Sequence, residues 1–374
     1  MRSMSESAPP YRAAIIGTGR IASLLERDLL RTRPHTHAGW YAADERTRLV
    51  AGADLDAGRL ESFGADWNID EAHLHADYRV LLERDRPDIV SICAYAADRV
   101  VMSRAALAAG VRGLWIEKAV ACTVEEGDLL ARDVAAAGAA AVVDHPRRLD
   151  ARHRAVARWV REETFGRLET VHVLFSGHVV HTGSHAWDLL LAWCGPWACV
   201  DATLDTAAHE ADASSDGHQR DEADEVRYAG ALRDGVVDRG GRARILFENG
   251  VEVFVTGGAK RYFVFQCDLI CSGGRIRIGN DVWEVLAPAE SPRYSGYREL
   301  SPIDPSTQMC AEDRSRGSVL GELLTAMHTG VPSILAVDSA ARALALGVAV
   351  MQAGLTGRTI TPATLDRSLR IASI

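Results

Sequence analysis

A glycine turn that follows a buried strand constrains the fold of this chain more than any other feature. The stretch AAIIGTGRIAS, residues 13–23, has Gly17 and Gly19 after an apolar strand and Ala22 at a third small position. Gly17 permits a tight turn, Gly19 lets the backbone approach a pyrophosphate, and Ala22 lets helix and strand pack closely. The pattern alone is weak evidence, but its place in the first strand–helix unit favours a dinucleotide cradle over a plain tight turn.

The residues after this turn are predicted to form an amphipathic helix that closes before Pro34. Its inward face carries four apolar residues at helical spacing, namely Ile21, Leu24, Leu25 and Leu29. The helix N-terminus would offer N–H groups and a positive dipole end to the phosphates of the dinucleotide. We therefore expect Gly17, Thr18, Gly19, Arg20 and Ile21 to contact the cofactor.

Short apolar strands alternate with helical segments through the first third of the chain. The predicted strands cover residues 13–16, 48–53, 88–93, 113–116 and 140–143. This alternation is typical of an α/β fold with a doubly wound parallel sheet. We predict a flexible tail at residues 1–10 and a Rossmann domain at residues 11–145.

The pattern changes after Pro146, where a helix at 151–161 leads into longer, alternating strands. Asn249-Gly250 lies between two apolar runs and predicts a two-residue hairpin. Two closing helices are predicted, at about 317–329 and at 338–353, the second ended by Gly354.

These features predict a second, α+β domain with an open, mostly antiparallel sheet. The domain would span residues 146–374, with a polar, exposed insertion at 207–242. An open sheet needs one face covered, so we expect a homodimer or homotetramer formed through this domain.

Charge and cysteine usage limit the possible partners. Acidic residues outnumber basic ones by 51 to 42, for a net charge of −9, which argues against nucleic acid or an anionic membrane as a partner. We find no apolar run of roughly 18 residues, and MRSMSESAPP lacks the apolar core of a signal peptide. The seven cysteines are scattered without a CxxC pair, as in a cytoplasmic protein with reduced thiols.

Asp54 ends the second predicted strand, where a carboxylate binds the adenosine ribose hydroxyls. It lies farther from the glycines than the usual spacing of about 20 residues, because residues 31–47 are interpreted as an inserted loop. A carboxylate here disfavours a 2′-phosphate, so NAD is the predicted cofactor. Arg20 and Arg59 lie nearby in sequence and keep NADP possible. The alternative for Asp54 is an aspartate that only stabilises a turn.

Two further stretches carry candidate catalytic groups. GLWIEKAVA, residues 113–121, places Lys118 at the end of a buried strand, where ligands of open α/β sheets bind; a lysine that merely reaches solvent is the alternative. HTGSHAWDLLLAWCG begins at His181 and places His185 in the first turn of an apolar helix that Ser184 can cap. The helix dipole there favours a neutral imidazole that can accept a proton.

Asp188 lies three residues after His185 and can reach the same helix face. The spacing of His181 and His185 would also suit a metal, but no further ligand cluster supports one, and we predict no metal site. For His181, the stronger alternative to a role in chemistry is that the side chain only stabilises the fold.

The chain resembles the family of glucose–fructose oxidoreductase, inositol dehydrogenase and their relatives. The resemblance covers nearly the whole chain and is carried by GTGRIA, VAGADLD, IEKAVA, DHPRRLD, GSHAWD and ALALGVAVMQAGLTGRTI. It implies a Rossmann domain joined to an open-sheet domain that serves substrate binding and oligomer contacts.

The resemblance also implies roles for single residues. Lys118 matches the lysine of a Glu-Lys-Pro motif beside substrate and nicotinamide, and His185 matches the catalytic histidine. Arg148 matches an arginine that holds the substrate or the domain junction. Glu117 and Tyr95 are expected near the cofactor.

Trp187 and Tyr95 are candidates to offer apolar faces to a sugar ring, and the alternative for Trp187 is a place in the core. Asp188 is expected among the substrate-binding residues.

This sequence departs from the family pattern at two positions. Ala119 replaces the motif proline, which would leave the backbone freer. His181 stands where many members have an aspartate that assists the histidine, so we assign His181 to the catalytic group.

The sequence thus predicts an NAD(P)-dependent oxidoreductase acting on a hydroxyl or carbonyl of a sugar, cyclitol or related polyol. One alternative is a sensor or regulatory protein that binds dinucleotide and sugar without turnover. Another is an enzyme that uses tightly held NAD for transient oxidation, as NAD-dependent glycosidases and epimerising relatives do.

Overall fold

The computed structural model describes residues 9–205, 235–258, 262–314 and 317–372. Most of the predicted tail and most of the predicted insertion lie outside these ranges. The tail residues that are described, Pro9 and Pro10, are exposed. At the end of the predicted insertion, Asp238 is buried and a strand begins at Gly241, so this part is not an exposed loop.

The chain divides into two compact units. The first contains Met1–Val120, Asp128–Asp144 and Val319–Val337, and the second contains Ala121–Gly127, His145–Ser318 and Asp338–Ile374. Segment 319–337, expected in the second domain, thus belongs to the first unit. The physical reason is apolar packing: helix Val319–Thr329 buries Leu320, Leu323 and Leu324 and lies against the two strands at one edge of the first sheet.

The first unit is built on a six-stranded parallel sheet. Its strands are β1 (Tyr11–Ile16), β2 (Thr47–Ala53), β3 (Leu74–His75), β4 (Ile89–Ile92), β5 (Gly113–Ile116) and β6 (Ala140–Val143). The order β3-β2-β1-β4-β5-β6 is that of a doubly wound dinucleotide-binding sheet. The predicted Rossmann fold is confirmed.

Ten α-helices lie in the described residues. They are α1 (His37–Ala43), α2 (Ala57–Trp67), α3 (Tyr78–Asp85), α4 (Ala96–Ala108), α5 (Val124–Ala137), α6 (Ala151–Arg161), α7 (Ser184–Cys194), α8 (Ala311–Arg314), α9 (Val319–Thr329) and α10 (Val337–Thr356). Helix α1 falls where the sequence predicted an inserted loop.

The amphipathic helix predicted after the glycine turn does not form. One irregular turn leads into a 3₁₀ helix at Leu24–Arg27, and Leu29 is 86% exposed. Asp28 explains the early end, because its Oδ1 accepts the Leu30 N–H at 3.0 Å and offers the backbone a turn instead of a helix. Glu26 then accepts the N–H groups of His35 and Thr36, which fixes the start of α1.

The second unit contains an eight-stranded, mostly antiparallel sheet, as predicted. Its strands are β7 (Leu168–Phe175), β8 (Trp197–Leu204), β9 (Gly241–Phe247), β10 (Glu252–Gly257), β11 (Phe265–Cys271), β12 (Gly274–Gly279), β13 (Trp283–Glu290) and β14 (Arg298–Ile303). The order is β14-β13-β12-β11-β7-β10-β9-β8, and only the β7–β10 pair is parallel among these strands.

The hairpin predicted at Asn249-Gly250 joins β9 and β10, but its loop is one residue longer than predicted. Phe247 pairs with Val251, and the Gly250 N–H donates to the Phe247 carbonyl at 2.9 Å. Gly250 has φ +87°, the left-handed conformation that completes a three-residue loop of this type.

Helix α10 runs past the predicted stop at Gly354 and ends at Thr356. Gly354 is needed for close packing instead, because a Cβ there would lie 2.5 Å from Cγ of Leu204. By length and mean hydropathy α10 is a candidate for crossing a membrane, although it contains Asp338 and Arg342 and is not an uninterrupted apolar run. However, 67% of its apolar window is buried inside the protein, as in the core helix of a globular unit.

Candidate functional site

The glycine turn lies at the carboxyl end of β1 and has the form that a phosphate cradle requires. Gly17 has φ +87°, and a Cβ there would come within 2.9 Å of the Cys93 backbone, so only glycine fits. At Gly19 a Cβ would meet no atom within 4 Å, so this side of the turn is open to a ligand. The residues present therefore fit a dinucleotide, although the long helix expected to supply a dipole is replaced by a single turn.

Asp54 follows β2 and is tied to the same turn. Its Oδ2 accepts the Thr18 backbone N–H at 2.8 Å, and its Oδ1 accepts the Asp56 N–H at 3.0 Å. Oδ2 also accepts the Thr18 hydroxyl at 3.3 Å, whereas Oδ1 retains a second lone pair. Asp54 can therefore anchor the turn and still accept a ribose hydroxyl.

The other predicted cofactor residues lie in the first unit at the same strand ends. Arg20 is exposed in the glycine turn, and Ile21 is half-buried, with its carbonyl accepting the His37 N–H at 3.2 Å. Tyr95 is half-buried and begins α4 directly after β4.

Lys118 lies two residues after β5 and is half-buried. The peptide between Lys118 and Ala119 is cis. The expected freedom of the backbone at Ala119 is not found, because Ala119 is buried and its carbonyl accepts a hydrogen bond from Arg99. The lysine thus extends from a constrained loop at the carboxyl edge of the sheet.

The Glu117 carboxylate is turned into the interior of the unit, contrary to the expected contact with the cofactor. The residue is 6% exposed, its Oε1 lies 3.3 Å from Nε2 of His37, and its Oε2 accepts the Lys118 N–H at 3.3 Å. It also shares a hydrogen bond with Asp144. Asp144 in turn accepts the Trp115 indole N–H at 3.3 Å.

The two carboxyl groups of this cluster have opposite pKa shifts. Burial opposes ionisation of Glu117, but the hydrogen bond and electrostatic attraction of His37 and the charge of Lys118 lower its pKa to about 2. Burial and the neighbouring Glu117 charge raise the pKa of Asp144 well above its usual value. Glu117 is therefore the anion, and Asp144 retains its proton.

A second polar cluster lies in the other unit, around Asp188 of α7. Asp188 is 2% exposed, and its Oδ1 accepts from Nη1 of Arg148 at 3.0 Å and lies 3.8 Å from Nδ1 of His145. Arg148 also donates to Oγ of Ser339 at 3.3 Å. The sequence predicted Arg148 and Asp188 as site residues, and the fold brings them together.

His185 stands beside this cluster in the first turn of α7. Its ring meets the His145 ring edge-on, with centroids 5.7 Å apart, and the Phe265 ring with centroids 6.4 Å apart. Ser184 does not cap the helix as predicted. Gly183 holds the cap position, and the Ser184 hydroxyl donates to the His181 carbonyl at 3.0 Å.

His181 is half-buried in the turn before α7, and its backbone N–H donates to Oδ2 of Asp238 at 2.7 Å. Trp187 is fully buried, and its indole N–H donates to the Val179 carbonyl at 2.7 Å. The core interpretation of Trp187 is therefore correct, and the sugar-stacking role is wrong, because no face of the ring is accessible.

Sequence reasoning missed His37, Asp144, His145 and Asp238. His145 and Asp144 immediately follow β6, so their position at a strand end was a usable signal. His37 and Asp238 gave none, because each acts through a partner far away in the sequence.

Comparison with known proteins supports the cofactor assignment. Residues 11–145 match the family described as an oxidoreductase family with an NAD-binding Rossmann fold. No curated protein sequence matches the chain.

Several solved structures share the fold. The WlbA dehydrogenase of Bordetella pertussis, solved with NADH and UDP-GlcNAcA, has a TM-score of 0.68 at 17% identity, over 94% of this chain and 98% of that one. The myo-inositol 2-dehydrogenase of Lactobacillus plantarum has a TM-score of 0.67 at 18% identity, over 94% and 99% of the two chains. An NAD-binding protein of Listeria innocua has a TM-score of 0.70 at 18% identity, over 94% and 96%.

At these identities the structural likeness establishes the fold, and the family match identifies residues 11–145 as an NAD-binding domain. The predicted cofactor, NAD, and the predicted resemblance are both confirmed. Residues 11–145 match the NAD-binding Rossmann domain of this oxidoreductase family, and the match supports NAD(P)-dependent oxidoreductase activity.

Proposed function

We propose that this oxidoreductase transfers a hydride between nicotinamide and a hydroxyl or carbonyl group of a sugar, cyclitol or related polyol. The observation that carries the proposal is the position of Lys118, which extends from the carboxyl edge of the same sheet as the glycine turn. The substrates in the names of similar structures, UDP-GlcNAcA and myo-inositol, support a polyhydroxylated substrate class.

Lys118 and His185 have complementary tasks at the reacting oxygen. Bound NAD supplies the hydride acceptor or donor. An alcohol oxygen gains negative charge as hydride leaves its carbon unless its proton also departs. The Lys118 ammonium stabilises that charge, and a neutral His185 imidazole accepts the proton. General acid–base help of this kind contributes about 10²–10⁴-fold to the rate.

Arg148 and Asp188 are proposed to hold substrate hydroxyls. Their ion pair at 3.0 Å is mostly buried, which fixes both side chains before a ligand arrives. A guanidinium with five N–H donors and a carboxylate with several lone pairs can use the remaining positions for hydroxyl groups. His181 is proposed to assist His185 in place of the family aspartate.

The test is steady-state turnover over a panel of sugars and cyclitols with NAD and NADP. We expect Lys118→Ala and His185→Ala each to lower kcat/KM by about 10²-fold or more, while NAD affinity stays at the wild-type value. Lys260→Arg, at the other lysine of the chain, and His328→Asn, on an exposed residue, are controls that should leave turnover unchanged. Wild-type turnover in the Lys118 or His185 variant would overturn the assigned roles.

The same assay separates the alternative functions. Binding of NAD and a sugar without turnover across the panel would favour a sensor. Turnover with NAD that co-purifies and never exchanges would favour transient oxidation by a tightly held cofactor.

We also propose that the protein is cytoplasmic and assembles as a homodimer or homotetramer. The eight-stranded sheet buries one face within its own unit, and its other face exposes His172 and Phe254, whose rings stack at 5.4 Å. Sedimentation equilibrium tests this assembly, and a monomer at micromolar concentration would contradict it.

A further inference from the structure

The cluster of His37, Glu117 and Asp144 lies beside Lys118 and is connected to a chain of buried hydroxyl groups. Tyr41 Oη lies 2.8 Å from Ser91 Oγ, and Ser91 Oγ lies 2.9 Å from Nδ1 of His37. We call His37, Glu117 and Asp144 the acid cluster. The side chains of this hydrogen-bonded series all belong to the first unit.

With a neutral His37, the hydrogen bonds of this series all run in one direction. Tyr41 donates to Ser91, Ser91 donates to Nδ1 of His37, and Nε2–H of His37 donates to Glu117. Burial raises the pKa of Tyr41, so the phenol at the start of the chain keeps its proton. Hydrogen bonds that point in one direction polarise one another, and this chain ends on the Glu117 carboxylate.

The contact between Glu117 and Asp144 requires a proton of its own. An ionised carboxylate only accepts hydrogen bonds, so two carboxyl groups can bond only if one of them is protonated. Glu117 already accepts from His37 and from the Lys118 N–H, which identifies it as the acceptor. The proton therefore belongs to Asp144, in agreement with the opposite pKa shifts of the two groups.

We propose that the acid cluster presents a single fixed negative charge, on Glu117, to the Lys118 side chain, and that Asp144 and His37 are positioning residues which hold that charge in place. This proposal rests on the proposed function of Lys118. With one anion beside it, Lys118 remains an ammonium ion and can stabilise a developing alkoxide. If both carboxyl groups were ionised, their repulsion in a buried site would disrupt the cluster.

Other charged and titratable groups face the acid cluster, and none of those named below adds a second negative charge to it. Cys93 is a buried thiol whose pKa is raised by burial and by the charge of Glu117, so it stays neutral. Tyr41 also stays neutral. Arg99 interacts electrostatically with Cys93 and donates to the Ala94 and Ala119 carbonyls. Among these groups Lys118 is the cation that acts on both Glu117 and Asp144.

The lysine content of the chain allows a direct test without any substrate. The sequence contains two lysines, Lys118 and Lys260. Full-length protein with ¹³Cε-labelled lysine should therefore give two lysine NMR signals, and Lys118→Arg assigns them. The pH titration of the Lys118 signal is then compared in the wild type, Glu117→Gln and Asp144→Asn, with Glu83→Gln at an exposed acid as the control.

The two cluster variants should behave differently, although both replace an acid by its amide. Glu117→Gln removes the charge and should lower the midpoint of the Lys118 titration by about 1–3 pH units. Asp144→Asn replaces a neutral acid by a neutral amide that can still donate to Glu117, and should leave the midpoint at the wild-type value, as should Glu83→Gln. Equal shifts in Glu117→Gln and Asp144→Asn would overturn the proposal, and so would no shift in Glu117→Gln.

Two further measurements keep the test decisive. Thermal unfolding shows whether each variant is folded. The candidate ligand atoms of the cluster lie within 4.8 Å of one another, so Mn²⁺ is titrated as well. Tight Mn²⁺ binding that is lost in Asp144→Asn would overturn the shared-proton arrangement.

These outcomes are independent of turnover. Loss of the proposed function would appear as wild-type turnover in Lys118→Ala, whereas failure of the present inference appears in the NMR titration alone.

Discussion

The backbone N–H of His181 donates to Oδ2 of Asp238 at 2.7 Å, and the N–H of Val180 reaches both oxygens of the same carboxyl group at 3.0 and 3.1 Å. Asp238 is 2% exposed. A buried side chain thus fixes the turn that precedes α7 and His185. It does so through hydrogen bonds to the backbone, which no local sequence pattern predicts.

Asp238 should make stability depend on pH. Burial raises its pKa from 3.8 to about 7, although the N–H groups of Val180 and His181 pull it down. Because the folded protein binds this proton more tightly than the unfolded chain, stability should fall as pH rises from about 4 through 7, by on the order of a few kcal/mol. Urea unfolding at several pH values measures the slope. It should flatten in Asp238→Asn and persist in Asp281→Asn, an exposed control. A slope of the same size in Asp238→Asn would assign the effect to another group.

The two glycines of the turn should separate folding from cofactor binding. Gly17→Ala forces a left-handed backbone and a 2.9 Å contact with Cys93, and should cost about 1–2 kcal/mol or more of stability. Gly19→Ala places its methyl group in open space, so stability should remain near the wild-type value while NAD affinity falls. Denaturant unfolding and calorimetric titration with NAD measure the two effects. Undiminished NAD binding by Gly19→Ala would show that the phosphates do not approach this side of the turn.

Asp54 should determine affinity for the adenosine ribose. Hydrogen bonds to a charged group contribute about 1.5–3 kcal/mol, so Asp54→Asn should weaken NAD binding by about 10–100-fold and reduce the preference for NAD over NADP. Asp56→Asn is a matched control. Asp56 caps α2 by accepting the Arg59 N–H at 3.0 Å, and asparagine caps a helix about as well, so this variant should keep both stability and NAD affinity near the wild-type values. Equal NAD affinities in the Asp54 variant and the wild type would remove Asp54 from the cofactor site.

The Arg148–Asp188 pair should contribute to stability as well as to substrate binding. Asp188→Ala leaves a mostly buried guanidinium without its carboxylate and should cost about 3 kcal/mol. The exposed pair Arg342–Asp338 is the matched control, and Asp338→Ala should cost under about 1 kcal/mol. Denaturant unfolding compares the two variants. Similar losses in both would mean that burial does not strengthen the Arg148–Asp188 contact.

Local patterns in the sequence determined the architecture of this protein. Alternation of apolar strands with helices specified the parallel sheet, and β6 and α6 were predicted to the residue, because both depend on periodicity within a short window. The strand ends also determined where Asp54 and Lys118 would lie, since ligand-binding residues of such sheets follow the carboxyl ends of strands.

Tertiary structure decided which side chains meet. The helix predicted after Gly19 had a correct apolar pattern, but contacts of Asp28 and Glu26 with residues farther along the chain favoured turns. Trp187 carried no local sign of its complete burial. His37 reaches Glu117 across 80 positions, and Asp238 reaches His181 across 57. Periodicity describes how each segment folds, whereas the charge and hydrogen bonding of a buried side chain depend on which distant segment packs against it.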